Sequence, residues 1–120
     1  PAWTFLQGGE PTAIGGLSFS TGWSAVFWMV ATPSLTRQSW RNLLRHARTV
    51  LANVCNPDHP HYRHRVEVHT LAGWKEADAF AERLGLRLEG RRFAVGCGGE
   101  DVNVWVRIGA PKEKAWRPDL

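Results

Sequence analysis

The sequence predicts an α/β fold of the α+β kind, built on a mixed sheet with element order β-β-β-α-β-α-β-β, from three observations. A nearly unbroken apolar run at 23–31, WSAVFWMVA, reads as a central strand buried on both faces. Two stretches, beginning at Trp40 and at Trp74, repeat apolar residues at three- and four-residue steps, as helices packed on a sheet do. Residues 80–92, FAERLGLRLEGRR, pass from helical to alternating periodicity at one glycine, Gly85.

A length of 120 residues fits one domain, expected over 1–108 with an extended tail at 109–120, GAPKEKAWRPDL, which lacks any period. No apolar run approaches the roughly 18 residues needed to cross a bilayer and no signal-peptide pattern is present, so a cytoplasmic protein is expected. Cys55 and Cys97 stand alone without CxxC spacing, which argues for reduced thiols over a disulfide framework or a cysteine zinc site. A net charge of +4 favours anionic partners such as phosphates, nucleic acid or an anionic cofactor, although charge speaks to association rather than to fold.

The elements follow in order. AWTFLQ (2–7) is a short strand, GGEP (8–11) is turn chemistry, and TAIGGLSFS (12–20) is a second strand whose Gly15 and Gly16 suggest a bulge or a close backbone approach. After the run at 23–31, Pro33 ends the strand. A helix follows with Trp40, Leu43, Leu44, Ala47, Val50, Leu51 and Val54 as its core stripe and Ser34 or Thr36 as its cap. DHPHYRH (58–64) is a histidine-rich loop, read as polar rather than metal-binding, since two prolines and no cysteine partner accompany it. RVEVHT (65–70) alternates as a strand. Trp74, Ala77, Phe80, Ala81 and Leu84 form the second helical stripe, with Gly85 just past its end. Residues 86–95 and 102–108 close the chain as an antiparallel hairpin.

The unit spanning 23–70 is expected to be a right-handed crossover between parallel strands. Ligands of such sheets bind beyond the carboxyl ends of the parallel strands, where a helix N-terminus points, which places the crevice around 31–40 and 69–74.

KEADAFAERLGLRLEGRRFAVGCGGEDVNVWVRI resembles the C-terminal half of the GNAT family of acyl-CoA-dependent N-acyltransferases, with ERLGLRLEG (82–90) the nearest match. The resemblance covers about residues 10–108 and implies an N-terminally shortened GNAT-like fold, the family's opening strand and helices being expected to precede this chain. It further implies acyl-CoA, usually acetyl-CoA, held between two splayed parallel strands. The pantetheine arm would run along Met29, Val30, Ala31 and Thr32, and the pyrophosphate would rest on the following loop and helix start at Thr36, Arg37, Gln38 and Ser39. Two features depart from the family pattern. The loop TPSLTRQSW (32–40) has no glycine, and Trp74 and Ala81 stand where the family often has an asparagine and the tyrosine that protonates the leaving thiolate.

Glu67 and His69 share one face of a strand that should line the crevice, so either is a candidate general base; a solvated strand face is the plain alternative. Arg37, Arg41 and Arg45 recur at four-residue steps, a repelling row that suits an acidic partner or simply water. Two functions stay open. One is an acyl-CoA-dependent transferase acting on an amine acceptor. The other is a non-catalytic GNAT-fold structural protein of a bacteriophage virion, since short divergent chains of this style resemble those of tailed phages and prophages; its partners would be other virion proteins. A nucleic-acid partner has only the charge in its favour.

Overall fold

The computed structural model describes residues 2–109, and the tail expected at 109–120 lies, beyond Gly109, outside the described residues. Eight elements run in the expected order: β1 (Ala2–Gln7), β2 (Glu10–Phe19), β3 (Ser24–Ala31), α1 (Arg37–Val54), β4 (Arg65–Leu71), α2 (Lys75–Arg83), β5 (Arg87–Arg92) and β6 (Val102–Ile108). The strands form one mixed sheet in the order β1-β2-β3-β4-β6-β5. Only β3 and β4 pair in parallel, joined by α1; the rest of the sheet is antiparallel.

Local chemistry accounts for the boundaries. Gly8 and Gly9 both have positive φ, which a two-residue hairpin turn between β1 and β2 requires. Thr36 caps α1 through its side chain, which accepts from the Ser39 N–H at 3.1 Å. Gly85, at φ +86°, closes α2 as its N–H donates to the Glu82 carbonyl and that of Leu86 to the Ala81 carbonyl, the paired bonds of a Schellman end. The chain can then turn back at once as β5.

At the Gly15–Gly16 pair the structure shows a close approach: a Cβ on Gly15 would lie 3.3 Å from the Trp28 carbonyl oxygen and near Met29 and Trp3. The bulge of β2 lies earlier, where Phe5 pairs with Ala13 and Leu6 with Pro11, so that Thr12 is left over.

Both helices pack on one face of the sheet around a single core. Ala25 and Phe27 of β3, Val66 of β4 and Trp105 of β6 meet Ala47, Leu51 and Val54 of α1 and Ala81 and Leu84 near α2. The position of α2 is fixed by polar contacts through this layer. Thr70 donates its hydroxyl to Asp78 Oδ1 at 2.7 Å, and the Trp105 indole donates to Thr70 Oγ1 and to Asp78 Oδ1. The expectation that β3 is buried on both faces needs correction. Its first half is buried, but Val30 points away from the helices and is 65% exposed.

Candidate active site

The exposure of β3 has its cause in the sheet. Ser24, Ala25 and Val26 pair with Arg65, Val66 and Glu67, and there the parallel pairing stops. Residues 27–31 keep their antiparallel partner β2, and residues 68–71 keep β6, so the two parallel strands splay apart toward their carboxyl ends. Successive peptide groups of a strand point to opposite edges. On β3 the Trp23 carbonyl bonds to β4 while the Thr32 N–H bonds to β2, so Met29 and Ala31, in step with Trp23, turn their backbone groups into the gap. Val30 and Thr32 turn theirs toward β2. The gap is thus lined by backbone donors and acceptors.

α1 begins where the gap opens. Thr36 satisfies the Ser39 N–H, which leaves Arg37 and Gln38 with no intrahelical partner for theirs. The glycine-free loop before it is held from outside: the Gln7 side chain donates to the Ser34 carbonyl at 3.1 Å and accepts from the Thr36 N–H at 3.0 Å, and the Thr32 and Ser34 hydroxyls share a 2.7 Å hydrogen bond. Of the residues expected to hold phosphate, Thr36 and Ser39 are therefore committed to the cap, while Arg37 and Gln38 present free N–H groups and the positive end of the helix dipole.

Part of the arginine row read from the sequence lines a groove between the two helices that spacing alone does not show. Arg37, Arg41 and Arg48 of α1 face Arg83 of α2 across a cavity of about 560 Å³, floored by Trp40, Leu44 and Phe80. Trp40 and Phe80 meet edge to face, their ring centres 5.7 Å apart, and the Arg48 Nε donates to the Arg83 carbonyl at 2.7 Å, tying the groove's two walls together. Arg45, which the four-residue row included, is not among the lining residues.

The opposite face of the sheet carries the other candidates. Glu67 and His69 project together from β4, and His69 Nε2 lies 2.8 Å from Glu67 Oε1. Arg65, two residues earlier on the same face, donates Nε to Glu67 Oε2 at 2.9 Å and both terminal nitrogens to the two oxygens of Glu89, Nη1 at 2.8 Å. Arg92 Nη2 stands 3.6 Å from Glu67 Oε1. Burial alone would raise the Glu67 pKa, but the hydrogen bonds from His69 and Arg65 outweigh it and hold the carboxyl below its ordinary value. The Arg65 hydrogen bond likewise lowers Glu89. Glu67 is therefore a carboxylate at neutral pH and a poor proton acceptor. Since it draws the Nε2 proton of His69, the lone pair of the neutral imidazole falls on Nδ1.

Ala81 lies fully buried in the core, and Trp74 precedes α2 with its side chain half exposed. The histidine loop is a packing unit: His59 Nδ1 accepts from the His61 N–H, and His61 stacks on Phe19. Arg63 covers the Phe19 ring at 4.5 Å. Among the described residues no three metal-ligating side chains converge, and no helix is long and apolar enough to cross a membrane.

No protein-family model matches the sequence, and no curated protein matches it. In structure the chain is similar to a ribosomal-protein-S18-alanine N-acetyltransferase from Escherichia coli at 20% identity and a TM-score of 0.69, with 98% of this chain and 74% of that one covered. A ribosomal L7/L12 alpha-N-protein acetyltransferase in complex with coenzyme A gives 15% identity and a TM-score of 0.70, over 90% of this chain and 61% of the other. A GNAT-family acetyltransferase from Bacillus anthracis gives 12% and 0.70, over 88% and 63%. The six-stranded mixed sheet with its two helices is the GNAT acetyltransferase fold, and this chain spans about three-fifths to three-quarters of those proteins.

Proposed function

We propose that the chain binds acyl-CoA in the gap between β3 and β4 and transfers the acyl group to an amine. The observation that carries this reading is the gap itself: a slot of unpaired backbone in a sheet whose two faces differ in chemistry. On the helix side lie four arginines over an aromatic floor. On the other lie an ionised Glu67 and its bonded His69. A pantetheine arm carries amides that suit the backbone of Met29 and Ala31. The phosphates of a coenzyme A suit the free N–H groups of Arg37 and Gln38 and the guanidinium groups of Arg37, Arg41, Arg48 and Arg83. Similarity to a fold whose members include a structure with coenzyme A supports the same ligand class.

Bound acyl-CoA supplies a thioester carbonyl as electrophile; the protein supplies position and proton transfer. His69 Nδ1 takes the proton of the attacking amine as the new C–N bond forms, Glu67 holds the ring and stabilises the imidazolium, and Arg65 fixes the carboxylate. The acyl carbon would lose its bond to sulfur as it gains the one to nitrogen, releasing a thiolate. Ala81, fully buried and without a proton to give, cannot protonate it, so the thiolate would take its proton from solvent. No side-chain contact favours the virion alternative. The test is titration calorimetry with acetyl-CoA followed by thiol release with an amine. Saturable heat below about 1 mM cofactor is expected; a flat titration defeats the reading.

A further inference from the structure

Strand register sorts the face away from the helices into rows, with Val104 and Val106 buried beneath the charged side chains that flank them. Glu67, Val106 and Arg87 form one row across β4, β6 and β5; His69, Val104 and Gly90 form the next; Leu71, Val102 and Arg92 form the third. Gly90 has no side chain, and nothing lies within 4 Å of where its Cβ would be, so the His69 row ends at β5 in free space between Arg87 and Arg92, although Val104 within it is buried. The carboxylates beside it are already engaged. Arg65 spans both Glu67 and Glu89 and offsets one of their two charges, and Arg92 beside Glu67 offsets the other. Arg92 is the loosest member of the cluster: its side chain is 54% exposed and its ion pair with Glu67 is a long 3.6 Å, beyond good hydrogen-bonding distance. Across the gap, Val30 adds an apolar wall.

From this charge arrangement we infer that the amine acceptor carries a carboxylate within one or two residues of its reacting nitrogen, seated by Arg92, and that polycationic amines are disfavoured. This rests on the acyl-transfer reading above and names its substrate class. A polyamine would bring several positive charges to a face where Arg65, Arg87 and Arg92 already outnumber Glu67 and Glu89. An amine with a nearby carboxylate offers Arg92 a hydrogen-bonded partner closer than Glu67, which stands 3.6 Å away. Free amino acids and acidic peptide N-termini share this chemistry.

The test compares Ser-Asp-Asp-Ala, Ser-Lys-Lys-Ala, free glutamate and spermidine as acceptors, by thiol release from acetyl-CoA and by calorimetric binding to the protein saturated with coenzyme A. At least about tenfold tighter binding and higher kcat/KM are expected for the acidic peptide over the basic one, the scale of one charged hydrogen bond. Turnover of glutamate as well assigns the site to the amino-acid carboxylate itself; turnover of the peptide alone assigns it to acidic N-termini. Arg92→Gln, at an exposed position, should remove the preference while leaving acetyl-CoA binding unchanged. Preference for spermidine or the basic peptide, or an undiminished acidic preference in Arg92→Gln, overturns the inference. So does acetyl-CoA binding with no acceptor used. Absence of acetyl-CoA binding instead overturns the acyl-transfer reading beneath it.

Discussion

His69→Ala should lower kcat by about a hundredfold or more, the usual loss when a positioned general base is removed. Its acetyl-CoA affinity should not change, because His69 lies across the sheet from the arginine groove. The loss should also shrink as pH rises. Without an imidazole the reaction draws on free amine, and an α-amine with pKa about 7.7–8.0 supplies its own neutral form above that range. Glu67→Gln should cost less, about tenfold, since an amide still accepts from His69 but no longer balances the imidazolium. If His69→Ala keeps kcat within about threefold, His69 is not the base. If Glu67→Gln is the more damaging change, the two roles are reversed.

The second large effect concerns the groove. Reversing Arg41 and Arg83 together to glutamate places two anions where phosphates are expected. Each lost charge-assisted hydrogen bond is worth about 1.5–3 kcal/mol, so the pair should weaken acetyl-CoA binding by more than about a hundredfold. Wild-type affinity should fall with added salt, and the double variant should show little salt dependence. These positions lie at the surface of two helices, so unfolding by urea should change little. An unchanged Kd in a folded double variant would remove the groove from the cofactor site.

The contrast between the two faces shows what the sequence makes legible. Alternation on one strand suffices to put Glu67 and His69 on a common face, and the helix-to-strand switch at Gly85 is local backbone chemistry, so both can be read without tertiary information. Thr36 as a cap belongs to the same class. The burial of β3 does not: the run at 23–31 looks the same whether or not β4 follows it to the end, and only the pairing shows that β4 leaves after Val26. The arginine groove fails for a geometric reason. At 3.6 residues per turn, a residue eight positions after Arg37 has drifted about 80° around the helix, while one eleven positions after has drifted only about 20°. Arg48 therefore shares the face of Arg37, and Arg45 has left it. Arg83 joins them from another helix, which no spacing within α1 can reveal. The contact by which Arg65 holds the Glu67 carboxylate ionised, on which the proposed choice of His69 as base rests, is likewise invisible to spacing.

The central claim is that acyl-CoA occupies the gap between β3 and β4 with its phosphates at the start of α1. Residue-resolved amide hydrogen exchange, with and without saturating acetyl-CoA, tests it most directly. Slowed exchange is expected at Met29, Ala31, Arg37 and Gln38, whose N–H groups face the gap or the free helix end, with no change at Val30 and Thr32, which face β2. Bound acetyl-CoA that leaves those four amides exchanging as before would contradict the claim.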